Sequence, residues 1–427
     1  MIDLLVIGAG LSGLMAAYHA AKASLSVRVI AKGLGALHWD AGTIDVLAYP
    51  PDSAGVVNRP LDQLAALPPT HPYRLLDEAD IHAALERFAA LTAELGLPYR
   101  PAAGADDFVV SENILLPSPL GAARPVFLAP ASQHAGDLGR PEPMLIVGFE
   151  GLRDFYPALI AENLGKLGYA ARAAFLPFAL LSERRDANTV HLAHALDDPA
   201  RRRNLAVELK RLAGPGERVG LPAIVGLDEH PAALADLEQQ VGAPIFEIPT
   251  LPPSVPGIRL YQALRRHLLQ LGVRVEAGME AVGFSSDGGG NIQWVETATS
   301  ARPLKHRARA YLLATGGILG GGFDSDHTGR VWEVVFDLPL TVPQQRSQWF
   351  RPLFLHPDGQ PVNRGGVRVN RRFQPVHPSG EPVYANLWAA GGVLAGSDPI
   401  RERSLTGIDV VTGMAAAKQI VSSQAIT

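Results

Sequence analysis

The chain has 427 residues, of which 47% are hydrophobic and 19% charged, so it can bury a sizeable core and does not have the composition of a disordered protein. Its formal net charge of −4 at pH 7 gives no sign of the basic surface that nucleic-acid-binding proteins carry. The chain contains no cysteine, which excludes disulfides, cysteine-ligated zinc and iron–sulfur clusters, so redox chemistry requires an organic cofactor or a partner's metal centre.

The first predicted elements form a strand–turn–helix–strand unit. Residues 2–7 are a short apolar run typical of a buried parallel strand, and the sequence Gly-Ala-Gly-Leu-Ser-Gly follows at 8–13. A helix of small residues is predicted over 14–23 and a second strand over 26–31. This order and spacing indicate a dinucleotide or flavin site.

The three glycines of this unit have separate physical roles. Gly8 allows a tight turn, Gly10 lets a pyrophosphate approach the backbone, and Gly13 allows close contact between helix and strand. The helix N-terminus then offers free N–H groups and a positive dipole end to the phosphates. We therefore expect these glycines to meet the phosphate of the cofactor.

Lys32 stands at the end of the second predicted strand, where an acidic residue commonly binds the adenosine ribose. A cation there favours a phosphate, so the adenosine half of the cofactor is absent or held differently, as with FMN, or an NADP-type phosphate is accommodated. Alternatively, Lys32 is solvated and another residue holds the ribose. The sequence leaves these alternatives open.

The remaining chain alternates between predicted strands and helices, which favours an α/β fold. In chain order we predict a helix over 77–95, loops and short strands over 98–143, a strand from 144, a helix through 167, a helical region over 189–213, a strand over 219–226, helix 258–271, strand 273–276, a hairpin within 279–313, strands from 311 and 386, and a helix over 406–422.

These elements predict a Rossmann-like FAD/FMN-binding domain with an inserted α+β cap domain. We expect the discontinuous flavin-binding domain to comprise residues 1–50, 250–330 and 375–427, the inserted cap or partner domain residues 51–249, and a strand-rich connection residues 331–374. The N-terminus lacks the basic region of an export signal, and no stretch is long and apolar enough for a membrane span. We therefore expect a cytoplasmic chain that does not itself cross the membrane.

Two further glycine motifs carry a resemblance to a known superfamily. Ala-Thr-Gly-Gly at 314–317 and Leu-Trp-Ala-Ala-Gly-Gly at 387–392, taken with the N-terminal glycines, resemble two-domain flavoproteins of the glutathione-reductase and fumarate-reductase type. Longer strings more specifically resemble the B-subunit family of anaerobic glycerol-3-phosphate dehydrogenases, and they lie at 36–45, 71–76, 249–260 and 391–400. The resemblance extends over nearly the whole chain.

The resemblance implies a non-covalently bound flavin, either FMN or FAD. It also implies that the chain is part of a complex with a catalytic flavoprotein subunit and a membrane-associated iron–sulfur subunit. The latter would attach the chain to the inner face of the cell membrane. Electrons from the oxidation of glycerol 3-phosphate to dihydroxyacetone phosphate would pass toward a quinone. The lack of cysteine fits this division of labour, because the clusters would lie in another chain.

The motifs also supply candidate site residues. A hydroxyl or N–H of Thr43 could bond to the flavin N5, and His356 or Arg364 could act as an acid or an anion clamp. The predicted cofactor-binding residues are Gly8, Gly10, Gly13, Lys32, Ala41, Gly42, Thr43, Gly316, Gly317, Gly391, Gly392, Thr406 and Gly407. No metal site is predicted.

The chain departs from the family pattern at two places. Related flavoproteins often carry an acid after the last strand to bind a ribityl hydroxyl, whereas this chain has Gly392 there. The cysteine- and glycine-rich turn of the family is replaced by a cysteine-free segment at 401–410. Two alternatives to an electron-relaying subunit stay open. One is a self-sufficient flavin oxidoreductase acting on a small anion with NADPH or quinone, and the other is a flavin-free scaffold of the same fold.

Overall fold

The strands are short apolar segments bounded by turns rich in glycine and proline. The computed structural model describes residues 2–424 except 52, 54, 103–110, 185, 299–301 and 355. The strands are β1 Ile2–Ile7, β2 Val27–Ala31, β3 Tyr99–Arg100, β4 Ile114–Pro117, β5 Ala123–Val126, β6 Ala129–Pro130, β7 Met144–Glu150, β8 Ala171–Pro177, β9 Arg218–Pro222, β10 Ile245–Ile248, β11 Arg274–Ala277, β12 Glu280–Ser286, β13 Ile292–Ala298, β14 Leu304–His306, β15 Ala308–Leu313, β16 Phe323–Ser325, β17 Val331–Glu333 and β18 Leu387–Ala389.

The helices lie between these strands for most of the chain, and the longest one ends the described part. They are α1 Leu11–Lys22, α2 Pro60–Gln63, α3 Glu78–Glu94, α4 Ala131–His134, α5 Pro157–Lys166, α6 Thr189–Ala195, α7 Pro199–Leu212, α8 His230–Val241, α9 Val255–Gln270, α10 Pro399–Glu402 and α11 Leu405–Gln424. Among the described residues, no helix combines the length and apolar character needed to cross a membrane.

A five-stranded parallel sheet forms the first half of the architecture, with the strand order β11-β2-β1-β15-β18. The central strand β1 pairs with β2 on one side and β15 on the other, so that Leu5 lies opposite both Arg28 and Tyr311. Leu4 to Val6 are fully buried, as expected for a parallel strand covered on both faces. The carboxyl ends of the five strands therefore meet at one edge.

Helices α1 and α11 pack along each other on this sheet. Their contact is close because both contain small residues: a Cβ added at Gly413 of α11 would come within 2.4 Å of the Ser12 carbonyl oxygen in α1. Helix α1 begins at Leu11, three residues before the predicted start, with Gly10 as its N-cap residue. The glycine sequence and the first turn of the helix are consequently one continuous feature.

A second parallel sheet lies in the inserted region, with the strand order β10-β9-β7-β8. Its apolar side chains, from Leu138 to Ile248, form a hydrophobic cluster of their own. Two short antiparallel pairs, β3 with β6 and β4 with β5, accompany it, so the inserted region mixes parallel and antiparallel strands. Side chains of α3, such as Phe88, belong instead to the cluster of the first sheet, and the domain boundary at residue 51 stays a prediction.

Most of the remaining predicted elements agree with the structure, but the strand predicted over 219–226 ends at Pro222, and one region differs more widely. The predicted hairpin is formed by β12 and β13, which pair antiparallel. In the described part of 331–374, β17 is the only strand, supplemented by isolated bridges such as Leu340 with Val367. The connection is thus poorer in strands than predicted. Prolines at 339, 343, 352, 357 and 361 lack the N–H that a ladder needs.

Candidate functional site

The candidate site lies at the carboxyl edge of the five-stranded sheet. Three neighbouring strands, β1, β15 and β18, end there in the glycine segments 8–13, 314–317 and 391–392. Ligands of open parallel sheets bind in the crevice outside the carboxyl ends of the strands. The three glycine motifs that are separate in sequence therefore converge on one crevice.

The N-terminal glycines divide into two that packing requires and one that faces open space. Gly8 has a φ of +118°, and a Cβ there would lie 2.0 Å from the Ala314 carbonyl oxygen. A Cβ at Gly13 would lie 2.1 Å from the Gly8 carbonyl oxygen. A Cβ at Gly10 would have no atom within 4 Å. Gly10 therefore leaves a free backbone face at the N-terminus of α1, where a phosphate can approach.

The later glycines bring the end of β15 against the end of β18, and the end of β18 against α1. A Cβ at Gly317 would lie 2.5 Å from the Gly392 carbonyl oxygen, and Gly316 has a φ of +78°. Gly391 has a φ of +81°, and a Cβ there would lie 2.3 Å from the Ser12 hydroxyl oxygen. The close approach of these segments requires the absence of side chains.

A pocket with a volume of about 320 Å³ opens beside these loops. Three of the predicted residues, Ala41, Thr43 and Thr406, line it. The other lining residues are Asp40, Asp45, Pro399, Ile400, Arg403 and Leu405. This volume falls in the range of small-molecule sites, about 300–1,000 Å³.

Asp45 fixes the predicted flavin loop to the N-terminus of α11. Its N–H donates to the Thr406 hydroxyl oxygen at 2.8 Å, and its carbonyl oxygen accepts the Gly407 N–H at 3.1 Å. Its carboxylate accepts the Thr43 hydroxyl at 2.9 Å and pairs with Arg403 at 3.3 Å. Asp45 thus holds together Thr43, Thr406 and Gly407, which the sequence predicts separately. Sequence reasoning missed Asp45 itself, although it lies only two residues after Thr43.

Arg124 supports the same loop from the inserted region. Its side chain is buried, and its guanidinium donates to the Thr43 hydroxyl oxygen at 2.8 Å and to the Gln133 amide oxygen at 3.0 Å. The Gln133 amide in turn donates to the Ala41 carbonyl oxygen at 3.0 Å. Burial lowers the pKa of Arg124 to about 10. Its Nε has no hydrogen-bond partner among the described residues, so the N–H of this atom is an unused donor.

Two carboxyl groups at the site have strongly raised pKa values. Burial raises the pKa of Asp40 to about 8, against the opposing effect of the Gly42 N–H, which donates to its Oδ1 at 2.6 Å. Burial likewise raises the pKa of Asp409 to about 7. The Asp409 carboxyl accepts the Gly392 N–H at 3.2 Å. Sequence reasoning missed both acids, although Asp40 directly precedes the predicted residues 41–43; Asp409 lies outside the glycine motifs.

Lys32 lies at the rim of the crevice and is 76% exposed. Its ammonium group pairs with Glu280 at 2.6 Å, and this hydrogen bond raises the pKa of Lys32. Glu280 reaches the end of β2 because β12 follows β11, which pairs with β2. The structure thus favours a solvated Lys32, while its contact with a cofactor stays a prediction.

His356 and Arg364 lie apart from the pocket lining in the described part of the chain. The His356 ring accepts the Asp358 N–H at 3.1 Å, which fixes a local turn. Arg364 ends a short helical turn over 361–364 and is exposed. Their role in substrate chemistry therefore stays a prediction without support from the geometry.

The residues at this edge fit a flavin. The open face at Gly10 and the N-terminus of α1 would hold a phosphate, and the pocket between the 41–43 loop and the N-terminus of α11 would hold the ring system. Arg124 contacts the pocket residue Thr43, and its unused Nε donor agrees with a site that is completed by a ligand.

Comparison with protein families and sequences gives a consistent result. The model of the FAD-binding domain family matches residues 3–407. A protein from Yersinia pestis, named as the B subunit of anaerobic glycerol-3-phosphate dehydrogenase, is 33% identical over 448 aligned residues, covering 100% of this chain and 99% of the relative. A protein from Halobacterium salinarum, named as a probable B subunit of the same enzyme, is also 33% identical and covers 97% of this chain and 96% of the relative.

Solved structures also resemble the chain. The open conformation of a flavocytochrome c3 fumarate reductase matches with a TM-score of 0.46 and 11% identity, covering 99% of this chain and 78% of that structure. The 3-ketosteroid delta1-dehydrogenase from Sterolibacterium denitrificans matches with a TM-score of 0.45 and 12% identity, covering 99% of both chains.

Proposed function

The chain belongs to the FAD-binding domain family and, within it, to the B-subunit family of anaerobic glycerol-3-phosphate dehydrogenases, and from this premise we propose that it is an electron-relaying flavoprotein subunit. It would receive electrons from the oxidation of glycerol 3-phosphate to dihydroxyacetone phosphate and pass them toward a quinone. The observation that carries this proposal is the full-length similarity to proteins named as B subunits of that enzyme, combined with a ring-sized pocket at the glycine-lined edge.

A bound flavin supplies the redox chemistry, because it can take up two electrons and pass them on to another carrier. The residues of this chain hold and tune the group. The N-terminus of α11 directs its positive dipole end at the pocket, which favours negative charge on a reduced ring. Asp45 keeps this helix end and Thr43 at a fixed spacing, so the site is preorganised.

Exposed apolar side chains near the pocket support association with other subunits. Trp39, next to Asp40, is 67% exposed, and Ile400, which lines the pocket, is 51% exposed. Phe354 is 91% exposed, and its carbonyl oxygen accepts a hydrogen bond from the Gln360 side-chain amide. The Gln360 N–H in turn donates to Asp398, the N-cap residue of α10. We propose that a catalytic flavoprotein subunit covers this region, and that a membrane-associated iron–sulfur subunit holds the assembly at the inner membrane face.

An anaerobic reduction experiment tests the relay. The flavin-loaded chain is mixed with glycerol 3-phosphate, and the visible absorbance of the oxidised flavin is followed before and after the catalytic flavoprotein subunit is added. We expect no bleaching by glycerol 3-phosphate alone and rapid bleaching after the addition. No bleaching even with the catalytic subunit would contradict the relay.

A self-sufficient oxidoreductase is the second candidate, favoured by Asp40 and Arg403. Both residues line the pocket. The Asp40 carboxyl group has a raised pKa, which suits an acid or base, and the Arg403 cation could hold an anionic substrate. Arg403 also adopts a φ of +50°, an uncommon conformation for a residue other than glycine. Bleaching of the flavin by glycerol 3-phosphate alone would favour this candidate. The flavin-free scaffold is disfavoured by the family match.

A further inference from the structure

Asp409 lies between the two parts of the candidate site. It belongs to α11, one turn after Leu405, which lines the pocket. On its other side, its carboxyl group is hydrogen-bonded to the hydroxyl of Ser12, which lies in the first turn of α1 behind the glycine loop. The carboxyl group therefore lies between the pocket that would hold the flavin ring and the glycine loop that would hold the phosphate.

Backbone geometry brings this carboxyl group to the end of the last strand of the sheet. The Gly392 N–H donates to the Asp409 Oδ1 at 3.2 Å. A Cβ added at Gly391 would lie 2.5 Å from the same oxygen, so a larger residue there would displace the carboxyl group. The position after the strand thus has no side chain of its own, and α11 supplies a carboxyl group in its place.

The contacts of Asp409 leave capacity for a ligand. A carboxyl group offers about four acceptor positions, of which the Gly392 N–H and the Ser12 hydroxyl use two. Asp409 is half-buried, so it is not sealed within the core. Because its pKa is raised to about 7 by burial, the group can accept or donate a hydrogen bond near neutral pH.

We propose that Asp409 binds the hydroxyl groups of the ribityl chain of the flavin, and this proposal rests on the proposed flavoprotein function. An ionised carboxyl group repels a phosphate, which also carries negative charge. Asp409 also lies outside the lining of the ring pocket. The part of a flavin that connects ring and phosphate is a polyol, whose hydroxyls are suitable partners for a carboxyl group.

Paired ligands test this role independently of electron transfer. Riboflavin carries the ribityl chain, whereas lumiflavin has the same ring with a methyl group in its place. Dissociation constants of both ligands are measured by fluorescence quenching for the wild-type chain, Asp409→Ala and Asp409→Asn. The matched control is Asp154→Ala, which removes an exposed carboxylate from the loop between β7 and α5.

We expect Asp409→Ala to weaken riboflavin binding about tenfold and to change lumiflavin binding less than about twofold, since only riboflavin loses a hydrogen bond to the acid. Asp409→Asn keeps the size of the side chain and one acceptor oxygen, so it should weaken riboflavin binding relative to lumiflavin binding by a smaller factor. This variant provides the test if the alanine variant does not fold. Asp154→Ala should leave both dissociation constants unchanged.

Equal losses of affinity for both ligands in the Asp409 variants, or no loss of affinity for riboflavin, would overturn the role of Asp409 while leaving the proposed function intact. Failure of the wild type to bind either ligand would instead count against the flavoprotein function.

Discussion

The two parallel sheets of the chain treat their carboxyl edges in opposite ways. At the edge of the five-stranded sheet, glycines bring three backbone segments together and leave a pocket of about 320 Å³ beside them. At the edge of the four-stranded sheet, a buried ion pair lies beside the ends of β9 and β10. There Arg259 of α9 pairs with Glu247 of β10, with a shortest distance of 2.6 Å.

The buried pair of the second sheet uses its hydrogen-bonding capacity on the protein itself. Arg259 donates to the Gly226 carbonyl oxygen at 2.8 Å and to the Val225 carbonyl oxygen at 3.2 Å, while Glu247 accepts the Val225 N–H at 2.8 Å. His230 packs beside the pair, and burial lowers its pKa to about 4. Strand ends alone therefore do not make a ligand site. The first edge differs because the half-buried acids Asp40 and Asp45 line an open pocket there.

Breaking the buried pair should have the largest effect on stability. Arg259→Met leaves Glu247 buried without its cation, and we expect the free energy of unfolding to fall by about 3–5 kcal/mol in urea denaturation. Arg140→Met, which removes the partly exposed partner of Glu142 at 2.9 Å, is the matched control and should cost less than about 1 kcal/mol. Equal effects of the two variants, or loss of flavin from Arg259→Met at full stability, would break the distinction between the two edges.

Two glycines of the first edge separate packing from binding. Gly13→Ala should lower the free energy of unfolding by about 1–3 kcal/mol, because its Cβ would lie 2.1 Å from the Gly8 carbonyl oxygen. Gly10→Ala should change it by less than about 0.5 kcal/mol, since its Cβ enters open space, yet weaken flavin binding about tenfold. Urea denaturation and flavin titration of both variants check this. Unchanged flavin affinity in Gly10→Ala would show that the open face does not receive the cofactor.

The sequence predicts the glycine edge well because its signal is local. The strand, the turn glycines and the helix lie within residues 2–22, and their order alone indicates close backbone contacts. The strand ends at 314–317 and 391–392 are recognisable for the same reason. By contrast, the polar residues of the site come from distant segments: 81 positions separate Arg124 from Thr43, and 361 separate Asp45 from Thr406. Such pairs depend on tertiary packing, which no local pattern encodes.

The acids of the first edge should make the stability of the flavin-free chain depend on pH. Burial raises the pKa of Asp40 to about 8 and of Asp409 to about 7, so the folded chain retains protons that the unfolded chain has released. The free energy of unfolding therefore falls as pH rises from about 4 toward 7–8. Asp40→Asn and Asp409→Asn should each flatten this decline, by less than ~1.4 kcal/mol per pH unit because both groups are partly exposed. Urea denaturation at three pH values checks this, and curves parallel to the wild type would contradict it.

Lys32 should show the smallest effect of these changes. Because its side chain is exposed and paired with Glu280, Lys32→Ala should alter the free energy of unfolding by less than about 0.5 kcal/mol. The same variant should bind FMN and FAD within about twofold of the wild-type affinities, as expected for a solvated residue. A selective loss of FAD affinity would instead place Lys32 at the adenosine half of the cofactor.

The identity of this lysine's partner illustrates the limit of sequence reasoning. The residue after β2 is readable as a cation, but Glu280 lies 248 positions away and reaches it only because β11 and β2 are neighbours. In the same way, the sequence shows that Gly392 stands where related flavoproteins carry an acid, but it does not show that Asp409 of α11 lies beside Gly392. In both cases an acid that is distant in sequence lies nearby in space.

The most direct test of the first edge as the flavin site is a visible absorption spectrum with the flavin content measured after acid release. It is recorded for the purified wild-type chain and for Gly10→Ala, each incubated with FMN and with FAD. We expect the wild type to retain bound flavin through gel filtration and Gly10→Ala, with its fold intact, to retain less. A wild-type chain that stays colourless after both incubations would contradict a flavin at this edge.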